Sequence, residues 1–231
     1  NLSKPIVSYH EHNRREAGLR LVGALLEGKS VALVSDAGMP VVSDPGAELV
    51  ASAAEAGCSV TVVPGPCAAS SALALSGFDG SRYVFEGFLP REGKPRRLAL
   101  EALKTEARTI LFYEAPHRLV RTLKDLLAAL GDRDAVVCND ITKFYERIDR
   151  VMLSQAVAHF EQTEPKGEYA LVVKGAEPVE PSFEDISVED HVRRYLMQGM
   201  SKKDAVKQAA KDRGVPKNDV YTAVMNLVEP D

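Results

Sequence analysis

A loop rich in glycine and proline, residues 36–46, has the composition of a ligand-binding corner in an α/β sheet. It follows the apolar run at residues 31–34, which is short enough for a buried parallel strand, and it precedes a helix. Asp44 followed by Pro45 predicts the N-cap and the first position of that helix. Open α/β sheets bind ligands where parallel strands end, so we expect backbone amides of this loop to face a ligand.

Two further loops repeat this arrangement. Residues 59–63 predict a strand, residues 64–66 a rigid Pro-Gly-Pro turn, and residues 68–76 a helix of small residues. Residues 113–116, Tyr-Glu-Ala-Pro, also end a predicted strand and begin a predicted helix. Neither of the first two loops has the G-x-G-x-x-G spacing of a dinucleotide site, which argues against a nicotinamide enzyme. The loops together predict one pocket for a small ligand.

Residues 23–30 match the phosphate-loop pattern G-x-x-x-x-G-K-[ST], but their context argues against nucleoside triphosphate binding. A phosphate loop runs from a strand into a helix, whereas here a predicted helix precedes the pattern and a predicted strand follows it. A metal site at His10 and His12 is also disfavoured, because no nearby cysteine or cluster of carboxylates completes a ligand set. Asn13 with Glu16 resembles a helix capping box instead. We predict no metal.

Length and composition indicate a globular chain. The 231 residues are 45% hydrophobic and carry a net charge of −4, which allows a large core and excludes a uniformly basic coat for nucleic acid. No apolar run is long enough to cross a bilayer, and the first residues do not form a signal peptide. The three cysteines lack metal-ligand spacing, as is typical of a reducing compartment. We expect a cytoplasmic protein with no membrane partner.

The order of the predicted elements indicates the α/β class. In the first part of the chain, helices alternate with strands predicted at residues 6–9, 31–35 and 59–63. In the second part strands are more often adjacent, which is typical of a mixed sheet. We therefore predict an N-terminal α/β domain at residues 1–79 and a second α/β domain at residues 80–176.

The rest of the chain predicts a linker at residues 177–187 and a small helical module at residues 188–231. Three short helices around a turn at residues 214–218 resemble a helix-turn-helix. Residues 201–218 contain six Lys or Arg against two Asp, a local excess of positive charge in an acidic chain. This excess predicts an RNA-facing patch. Its residues are Lys202, Lys203, Lys207, Lys211, Arg213 and Lys217.

Five strings of residues, spread over nearly the whole chain, resemble the tetrapyrrole methylase superfamily. They are Asp-Ala-Gly-Met-Pro-Val-Val-Ser-Asp-Pro-Gly at 36–46, Pro-Gly-Pro-Cys-Ala-Ala at 64–69, Phe-Glu-Gly-Phe-Leu-Pro at 85–90, Phe-Tyr-Glu-Ala-Pro-His-Arg at 112–118 and Lys-Gly-Glu at 166–168. The resemblance implies a two-domain tetrapyrrole-methylase-like α/β fold with a cleft between the domains. The helix-turn-helix-like module adds to this fold.

Within the superfamily, the strings are most similar to enzymes that methylate a cytidine ribose 2′-hydroxyl in the decoding centre of 16S ribosomal RNA. The resemblance implies S-adenosylmethionine as methyl donor, the 30S ribosomal particle as partner and a homodimer. It also implies a set of cofactor-binding residues on the loops described above. These are Asp36, Ala37, Gly38, Pro40, Asp44, Pro64, Gly65, Pro66, Ala68, Ala69, Tyr113, Glu114, Ala115, Pro116 and Gly167.

Methyl transfer from a sulfonium donor is an in-line displacement that requires alignment and exclusion of water. A ribose hydroxyl is a poor nucleophile at neutral pH, so a base or a nearby cation should assist its deprotonation. The sequence does not rank the candidates. They are His10, His12, Glu114, His117, Lys143 and Glu168.

The sequence departs from the family pattern in two places. Asn139 and Asp140 precede Ile141-Thr142-Lys143 where the family has Arg and Glu. The family also opens with a strand, a glycine turn and a Glu-Asp-Thr-Arg segment that have no counterpart here, so we expect a further segment upstream of Asn1.

Two alternatives stay open. One is a precorrin-type tetrapyrrole methyltransferase of the same fold, and the other is a non-catalytic RNA-binding or assembly factor. The basic C-terminal module favours an RNA substrate, because a small free substrate needs no such module.

Overall fold

The structure is a computed structural model that describes residues 3–177, 183 and 186–225. The chain divides into two compact units, Asn1–Ala176 and Glu177–Asp231. The predicted boundary between residues 79 and 80 lies inside the first unit, while the predicted start of the linker coincides with the division. Linker residues 178–182 and 184–185 lie outside the described part of the chain.

The first unit is an α/β unit in which helices precede the first strand. Its elements in chain order are α1 (Arg14–Leu26), α2 (Ala47–Glu55), α3 (Ala68–Ser76), β1 (Tyr83–Phe88), α4 (Gly93–Leu103), β2 (Thr109–Glu114), α5 (Pro116–Leu130), β3 (Asp134–Asn139), β4 (Arg147–Met152), α6 (Leu153–Gln162) and β5 (Tyr169–Val173). The predicted helix at 68–76 is confirmed without change. The other predicted helices of this unit are confirmed in position, with ends that differ by a few residues.

The five strands form one mixed sheet in the order β1-β2-β5-β3-β4. Strand β1 pairs with β2 in parallel, and the other three pairings are antiparallel. This confirms the mixed sheet predicted for the second part of the chain. Because β1, β2 and β3 run in the same direction and β5 runs against them, Phe88, Glu114, Asn139 and Tyr169 lie along one edge of the sheet.

Helices cover both faces of the sheet, which makes the unit a three-layer structure. Ile110 and Phe112 of β2 belong to a core that they share with helices α4, α5 and α6. Leu111, the residue between them, packs in a second cluster with Ala69 and Ala72 of α3. Helix α3 therefore packs on the same sheet as the later helices, which is why residues 1–176 form one compact unit.

The strands predicted at residues 6–9, 31–35 and 59–63 are wrong: the structure describes no strand among residues 3–82. These segments carry the apolar side chains of a strand, yet Ile6 is 96% exposed, Val34 79% and Val63 86%. A strand needs a neighbouring strand to complete its backbone hydrogen bonds, and these segments pair with none in the described chain. An apolar run alone does not supply that neighbour.

One predicted helix start and one predicted capping bond are also wrong. Helix α2 begins at Ala47 with Gly46 as N-cap, rather than at Asp44 and Pro45. Gly46 has φ +143°, and a Cβ there would lie 2.5 Å from a methyl carbon of Leu33, so the chain turns at this glycine before the helix starts. The side chain of Asn13 does not cap α1, because its oxygen accepts a hydrogen bond from the backbone N–H of His10 at 2.8 Å instead.

The phosphate-loop match lies where the sequence placed it, with Gly23 inside α1 and Lys29 after its end. Lys29 pairs with Glu27 at 2.6 Å. The next helix along the chain is α2, which starts at Ala47, so no helix follows the pattern directly. The expectation that this segment lacks the order of a phosphate loop is confirmed, although the strand predicted after it does not form.

The described residues of the second unit form three helices, α7 (Val188–Met197), α8 (Lys202–Arg213) and α9 (Lys217–Ala223). Val192, Val206 and Val220 are buried where the helices meet. Ser201 caps α8 as predicted, accepting a hydrogen bond from the backbone N–H of Asp204 at 3.2 Å. The predicted end of α9 at residues 226–228 lies outside the described residues. None of the described helices is long and apolar enough to span a membrane.

Candidate active site

Three predicted ligand loops of the first unit meet in space. A Cβ on Gly38, which has φ +77°, would lie 3.3 Å from the carbonyl oxygen of Pro66, so the first loop approaches the second closely. The hydroxyl oxygen of Tyr113 accepts a hydrogen bond from the backbone N–H of Ala69 at 2.8 Å, which joins the second loop to the third. The structure therefore brings residues 36–40, 64–69 and 113–116 together.

The end of β1 completes this group of loops. A bulge in β1 lies between Phe85 and Gly87, and Gly87 has φ +61°. A Cβ at Gly87 would lie 2.8 Å from the hydroxyl oxygen of Ser43, so this position requires glycine. The rings of Phe85 and Phe88 lie edge-on to the Tyr113 ring, with centroids 5.0 and 5.8 Å away. Aromatic packing thus fixes the ring whose hydroxyl contacts the second loop.

The phenol of Tyr113 is partly buried and bonds to the backbone of the protein. Burial raises the pKa of its phenol to about 12, although the hydrogen bond from Ala69 lowers it in part. The phenol is therefore protonated at neutral pH. Helix α3 has no side-chain cap of its own at Cys67, and Ala69 carries one of the backbone N–H groups left without a partner at a helix start. Tyr113 supplies that partner from a distant part of the chain.

Glu114 follows Tyr113 and lies in a buried polar network. Its side chain is fully buried, and one carboxylate oxygen accepts a hydrogen bond from the backbone N–H of Ala115 at 2.9 Å and pairs with Arg118 at 3.2 Å. The other oxygen accepts a hydrogen bond from the hydroxyl of Thr122 at 2.5 Å. Thr122 in turn accepts a hydrogen bond from Arg96 at 2.9 Å.

Both carboxylate oxygens of Glu114 are engaged by groups of the protein, and they hold the end of β2 against α5. Arg96, which also pairs with Asp125 at 2.7 Å, is 4% exposed and serves the same network. Among the catalytic candidates, Glu114 is thus a fully buried carboxylate with both oxygens engaged by the protein.

Lys143 and Glu168, predicted from distant parts of the sequence, are paired. The Lys143 ammonium lies 2.8 Å from a carboxylate oxygen of Glu168 and 3.0 Å from one of Asp140. The hydrogen bond to Glu168, followed by the one to Asp140, raises the pKa of the Lys143 ammonium above its ordinary value of 10.5. Lys143 is therefore a cation at neutral pH. The Glu168 side chain is 77% exposed, so its carboxylate is open to solvent.

The segments next to Lys143 and Glu168 have unusual backbone conformations. Asp140 and Thr142 have φ +49° and +68°, a region that side chains other than glycine seldom adopt. Gly167 has φ +83°, and a Cβ there would overlap the Asp140 carboxylate. Asn139 donates hydrogen bonds to the carbonyl oxygens of Lys166 and Glu168 at 3.0 and 3.2 Å. Asn139 and Asp140, the two residues that differ from the family pattern, thus form hydrogen bonds that hold residues 166–168 in place.

None of the three histidine candidates has a described hydrogen bond or ion pair with Lys143 or Glu168. His10 and His12 are exposed near the start of the chain, with ring centroids 5.9 Å apart. His117 is exposed on the first turn of α5, next to the third loop. Within the described residues there is no cluster of three or more His, Cys, Asp or Glu that could hold a metal ion.

The predicted RNA-binding cations of the second unit differ in exposure. Lys202, the first residue of α8, is half-buried. Lys203, Lys207 and Lys211 are exposed along one face of α8, four residues apart, and Lys217 is exposed at the start of α9. Arg213 differs, because its guanidinium donates hydrogen bonds to His191 at 3.1 Å and to the carbonyl oxygens of Ile186 and Ser187. Arg213 therefore stabilises the start of α7.

Comparison with known proteins identifies the family. The sequence pattern described as Tetrapyrrole (Corrin/Porphyrin) Methylases matches residues 3–157. The chain belongs to the tetrapyrrole methylase family. A second pattern, the RsmI C-terminal HTH domain, matches residues 185–227, which agrees with the helix-turn-helix predicted there.

Several relatives that share one name match most of the chain. The chain is 47% identical to "Ribosomal RNA small subunit methyltransferase I" of Halalkalibacterium halodurans, over 96% of this chain and 78% of that protein. It is 42% identical to the protein of that name in Bacillus subtilis, with the same coverage, and 40% identical to the one in Escherichia coli O157:H7, over 94% and 76%. The chain thus groups with this branch of the family, as its sequence strings indicated.

Solved structures share the fold. A cobalt precorrin-4 methyltransferase of cobalamin biosynthesis superposes with a TM-score of 0.56 at 18% identity, covering 74% of this chain and 76% of that one. Uroporphyrin-III C-methyltransferase of Thermus thermophilus, solved in complex with S-adenyl homocysteine, gives a TM-score of 0.50 at 23% identity, covering 72% and 75%. These likenesses confirm the predicted tetrapyrrole-methylase-like fold.

Sequence reasoning did not find several interactions at this site. The bond between Tyr113 and Ala69 and the burial of Arg96 depend on how the chain folds back over many residues, for which local spacing carries no signal. The positive φ of Asp140 was also missed. Only the glycine at position 167 hinted at a close approach there.

Proposed function

We propose that the chain is an S-adenosylmethionine-dependent methyltransferase of small-subunit ribosomal RNA, and that it methylates the 2′-hydroxyl of a cytidine ribose in the decoding centre. The names of relatives at 40–47% identity support ribosomal RNA as the substrate. The observation that carries the proposal is the convergence of three small-residue loops on the sheet edge that also carries Lys143 and Glu168. A cytoplasmic reaction and a homodimer belong to the same proposal.

The loops fit the methyl donor. Residues 36–40, 64–69 and 113–116 would hold S-adenosylmethionine, which supplies a methyl group bound to positively charged sulfur. Gly38 allows the first loop to approach the carbonyl oxygen of Pro66, so backbone groups of two loops would be available to the donor. A carboxylate pressed on the sulfur would stabilise the ground state more than the transition state, because the charge disappears during transfer. Glu114 would not stabilise the ground state in this way, because Arg118 and Thr122 engage its carboxylate.

Lys143 and Glu168 would activate the ribose. The exposed carboxylate of Glu168 accepts the hydroxyl proton as the oxygen forms its bond to the methyl carbon and the bond from that carbon to sulfur breaks. The ammonium of Lys143 stabilises the negative charge that develops on the oxygen. Because its pKa is raised, Lys143 acts as a cation and not as the base. Tyr113 and the Glu114 network hold the loops in place during the reaction.

Methyl transfer to isolated 30S particles tests this assignment. We expect Glu168→Gln and Lys143→Ala to lower kcat by about a hundredfold or more, the range for loss of a general base or an electrostatic stabiliser. Lys143→Arg keeps the charge and should recover part of the rate. Lys124→Ala is the matched control, since Lys124 is 51% exposed like Lys143 and pairs with Glu161 at 2.6 Å.

The position of the methyl group is checked separately. Nucleoside mass spectrometry of the product RNA should detect 2′-O-methylcytidine with the parent chain. A methyl group on a base, or parent-like rates for both Glu168→Gln and Lys143→Ala, would contradict the proposed chemistry. Methylation of uroporphyrinogen or a precorrin without methylation of 30S particles would favour the tetrapyrrole alternative. Binding to 30S particles without methylation of either substrate would favour the assembly-factor alternative.

The cations of the second unit would supply RNA affinity. Lys203, Lys207 and Lys211 form an exposed stripe on α8, and each phosphate contact adds a salt-dependent contribution that is independent of sequence. Replacing all three with Gln should weaken binding to 30S particles and reduce the slope of log affinity against log salt by about 2 to 3. Affinity for S-adenosylmethionine should not change. An unchanged salt slope would place the RNA contacts on other residues.

A further inference from the structure

A cavity in the second unit combines positive charge with an exposed aromatic ring. It has a volume of 360 Å³ and lies between residues of α8 and α9. Its lining residues are Ser201, Lys202, Lys203, Val206, Lys217 and Tyr221. No Asp or Glu is among these six residues, although the chain as a whole is acidic. The lining therefore favours an anionic ligand with an apolar or aromatic part.

Tyr221 provides the aromatic surface. Its side chain is 55% exposed, whereas Val206, which lines the same cavity, is fully buried. Tyr221 follows Lys217 by four residues on α9, so the ring and the ammonium lie on one face of the helix. A single exposed tyrosine has no special meaning alone. Here it borders a concave site that carries three lysines.

Lys203 and Lys217 are available to a phosphate. Lys203 and Lys217 are exposed, and no described carboxylate lies within ion-pair distance of either ammonium. The Lys202 ammonium lies 3.4 Å from the carbonyl oxygen of Met225, so its side chain spans the space between α8 and the end of α9. Lys203 of α8 and Lys217 of α9, two cations in the lining of one cavity with no described carboxylate paired to either, suit a bound phosphate group.

We propose that this cavity binds one unpaired nucleotide of the RNA substrate, with its base stacked on Tyr221 and its phosphate held by Lys203 and Lys217. The inference rests on the proposed RNA substrate and adds a recognition site to it. Duplex RNA keeps its bases inside the helix, whereas single-stranded loops can place a base on an aromatic side chain. A concave site with one exposed ring therefore fits a splayed nucleotide of a loop better than a duplex.

Binding of a short, unstructured oligoribonucleotide to the whole chain tests the site. Tyr221→Ala should weaken binding about fivefold to a hundredfold, the usual effect of removing one base–aromatic stack. Tyr221→Phe keeps the ring and should bind like the parent. Met197→Ala is the matched control, because Met197 is exposed on α7 of the same unit and does not line the cavity. Circular dichroism should show equal helix content in all variants.

A fluorescence measurement reports stacking directly. The sequence contains no tryptophan, so Tyr221→Trp introduces a single indole at the site. Its emission should be quenched on addition of the oligoribonucleotide, and combined replacement of Lys203 and Lys217 with Gln should shift the quenching curve to higher RNA concentration. Poly-glutamate of matched charge should neither quench the indole nor compete with the RNA. Effective competition would mean that the site recognises charge alone, and the proposal would be wrong.

The outcomes separate this inference from the proposed function. If the parent chain methylates 30S particles and Tyr221→Ala binds the oligoribonucleotide equally well, the stacking site is wrong and the proposed function stands. If the parent chain binds no single-stranded RNA, the stacking site is also wrong, and the methyl-transfer assay decides the proposed function by itself. A loss of affinity in Tyr221→Ala that Tyr221→Phe restores supports the site in either case.

Discussion

The hydroxyl oxygen of Tyr113 accepts a hydrogen bond from the backbone N–H of Ala69 at 2.8 Å, across 44 residues of sequence. Tyr113 lies at the end of β2, and Ala69 lies in the first turn of α3. One bond thus fixes the start of a helix relative to the sheet edge where ligand loops converge.

Tyr113→Phe tests this relationship. The ring keeps its packing on Phe85 and Phe88, while the Ala69 N–H loses its acceptor. We expect the free energy of unfolding of the first unit to fall by about 1 kcal/mol, the usual net value of one hydrogen bond. Affinity for S-adenosylmethionine, measured by calorimetry, should fall as well. Tyr83→Phe is the control, since Tyr83 is 45% exposed, and an equal loss in both variants would contradict the prediction.

The sequence predicts helices of this protein better than the first strands. The apolar face of α5 and the small residues of α3 identify those helices, because a helix completes its backbone hydrogen bonds within its own segment. The segments at residues 31–35 and 59–63 have suitable residues for strands but need neighbours elsewhere in the chain. Local patterns therefore indicate which segments are apolar, but they do not indicate whether such a segment pairs with a neighbouring strand through backbone hydrogen bonds.

The same distinction applies to the candidate site. The loops with glycine and proline were identified from composition, because turns require particular residues at particular positions. The roles of the acidic candidates were not separable from sequence. Glu114 is the last residue of β2 and Glu168 immediately precedes β5. Only burial shows that the carboxylate of Glu114 is engaged internally while that of Glu168 is open to solvent.

Gly167→Ala separates the geometry of the Lys143–Glu168 pair from general backbone strain. Any Cβ at position 167 would overlap the Asp140 carboxylate, which would displace the partner of Lys143. Gly28→Ala is the matched control, since Gly28 has φ +84° and no atom within 4 Å of the added carbon. Each variant should lose about 1 to 2 kcal/mol of stability from the positive φ. Only Gly167→Ala should also lower kcat for methyl transfer, and an equal kcat in both variants would contradict the assignment.

Glu114→Gln should mainly lower the stability of the protein, whereas Glu168→Gln should mainly lower kcat. Removing the charge of Glu114 leaves Arg118, whose side chain is 18% exposed, without its anion, and breaking this partly buried pair should cost up to about 3 kcal/mol. Glu168 is exposed, so Glu168→Gln should leave the urea midpoint unchanged and lower kcat. Urea unfolding and steady-state rates on both variants provide the comparison. A stable but inactive Glu114→Gln variant would return Glu114 to the catalytic candidates.

His191 makes the stability of the second unit depend on pH. Its ring is 1% exposed, stacks on Phe183 with centroids 3.8 Å apart, and accepts a hydrogen bond from Arg213 through Nδ1 at 3.1 Å. Burial, followed by the positive charge of Arg213, lowers the pKa of this imidazole below its ordinary value of 6.5, although Asp212 opposes the shift. The native state therefore binds a proton less readily than the unfolded state does.

The sign of the effect follows from this difference in proton binding. Stability should be fully present above the unfolded pKa of 6.5 and be lost as the pH falls through the lower folded pKa, because the unfolded chain takes up a proton that the buried ring excludes. Urea unfolding of α7 to α9, followed by NMR between about pH 5 and pH 8, should show this loss. His191→Gln does not titrate and should remove most of the pH dependence, whereas exposed His117→Gln should leave it intact. A pH dependence that survives in His191→Gln would mean that another group of the unit is responsible.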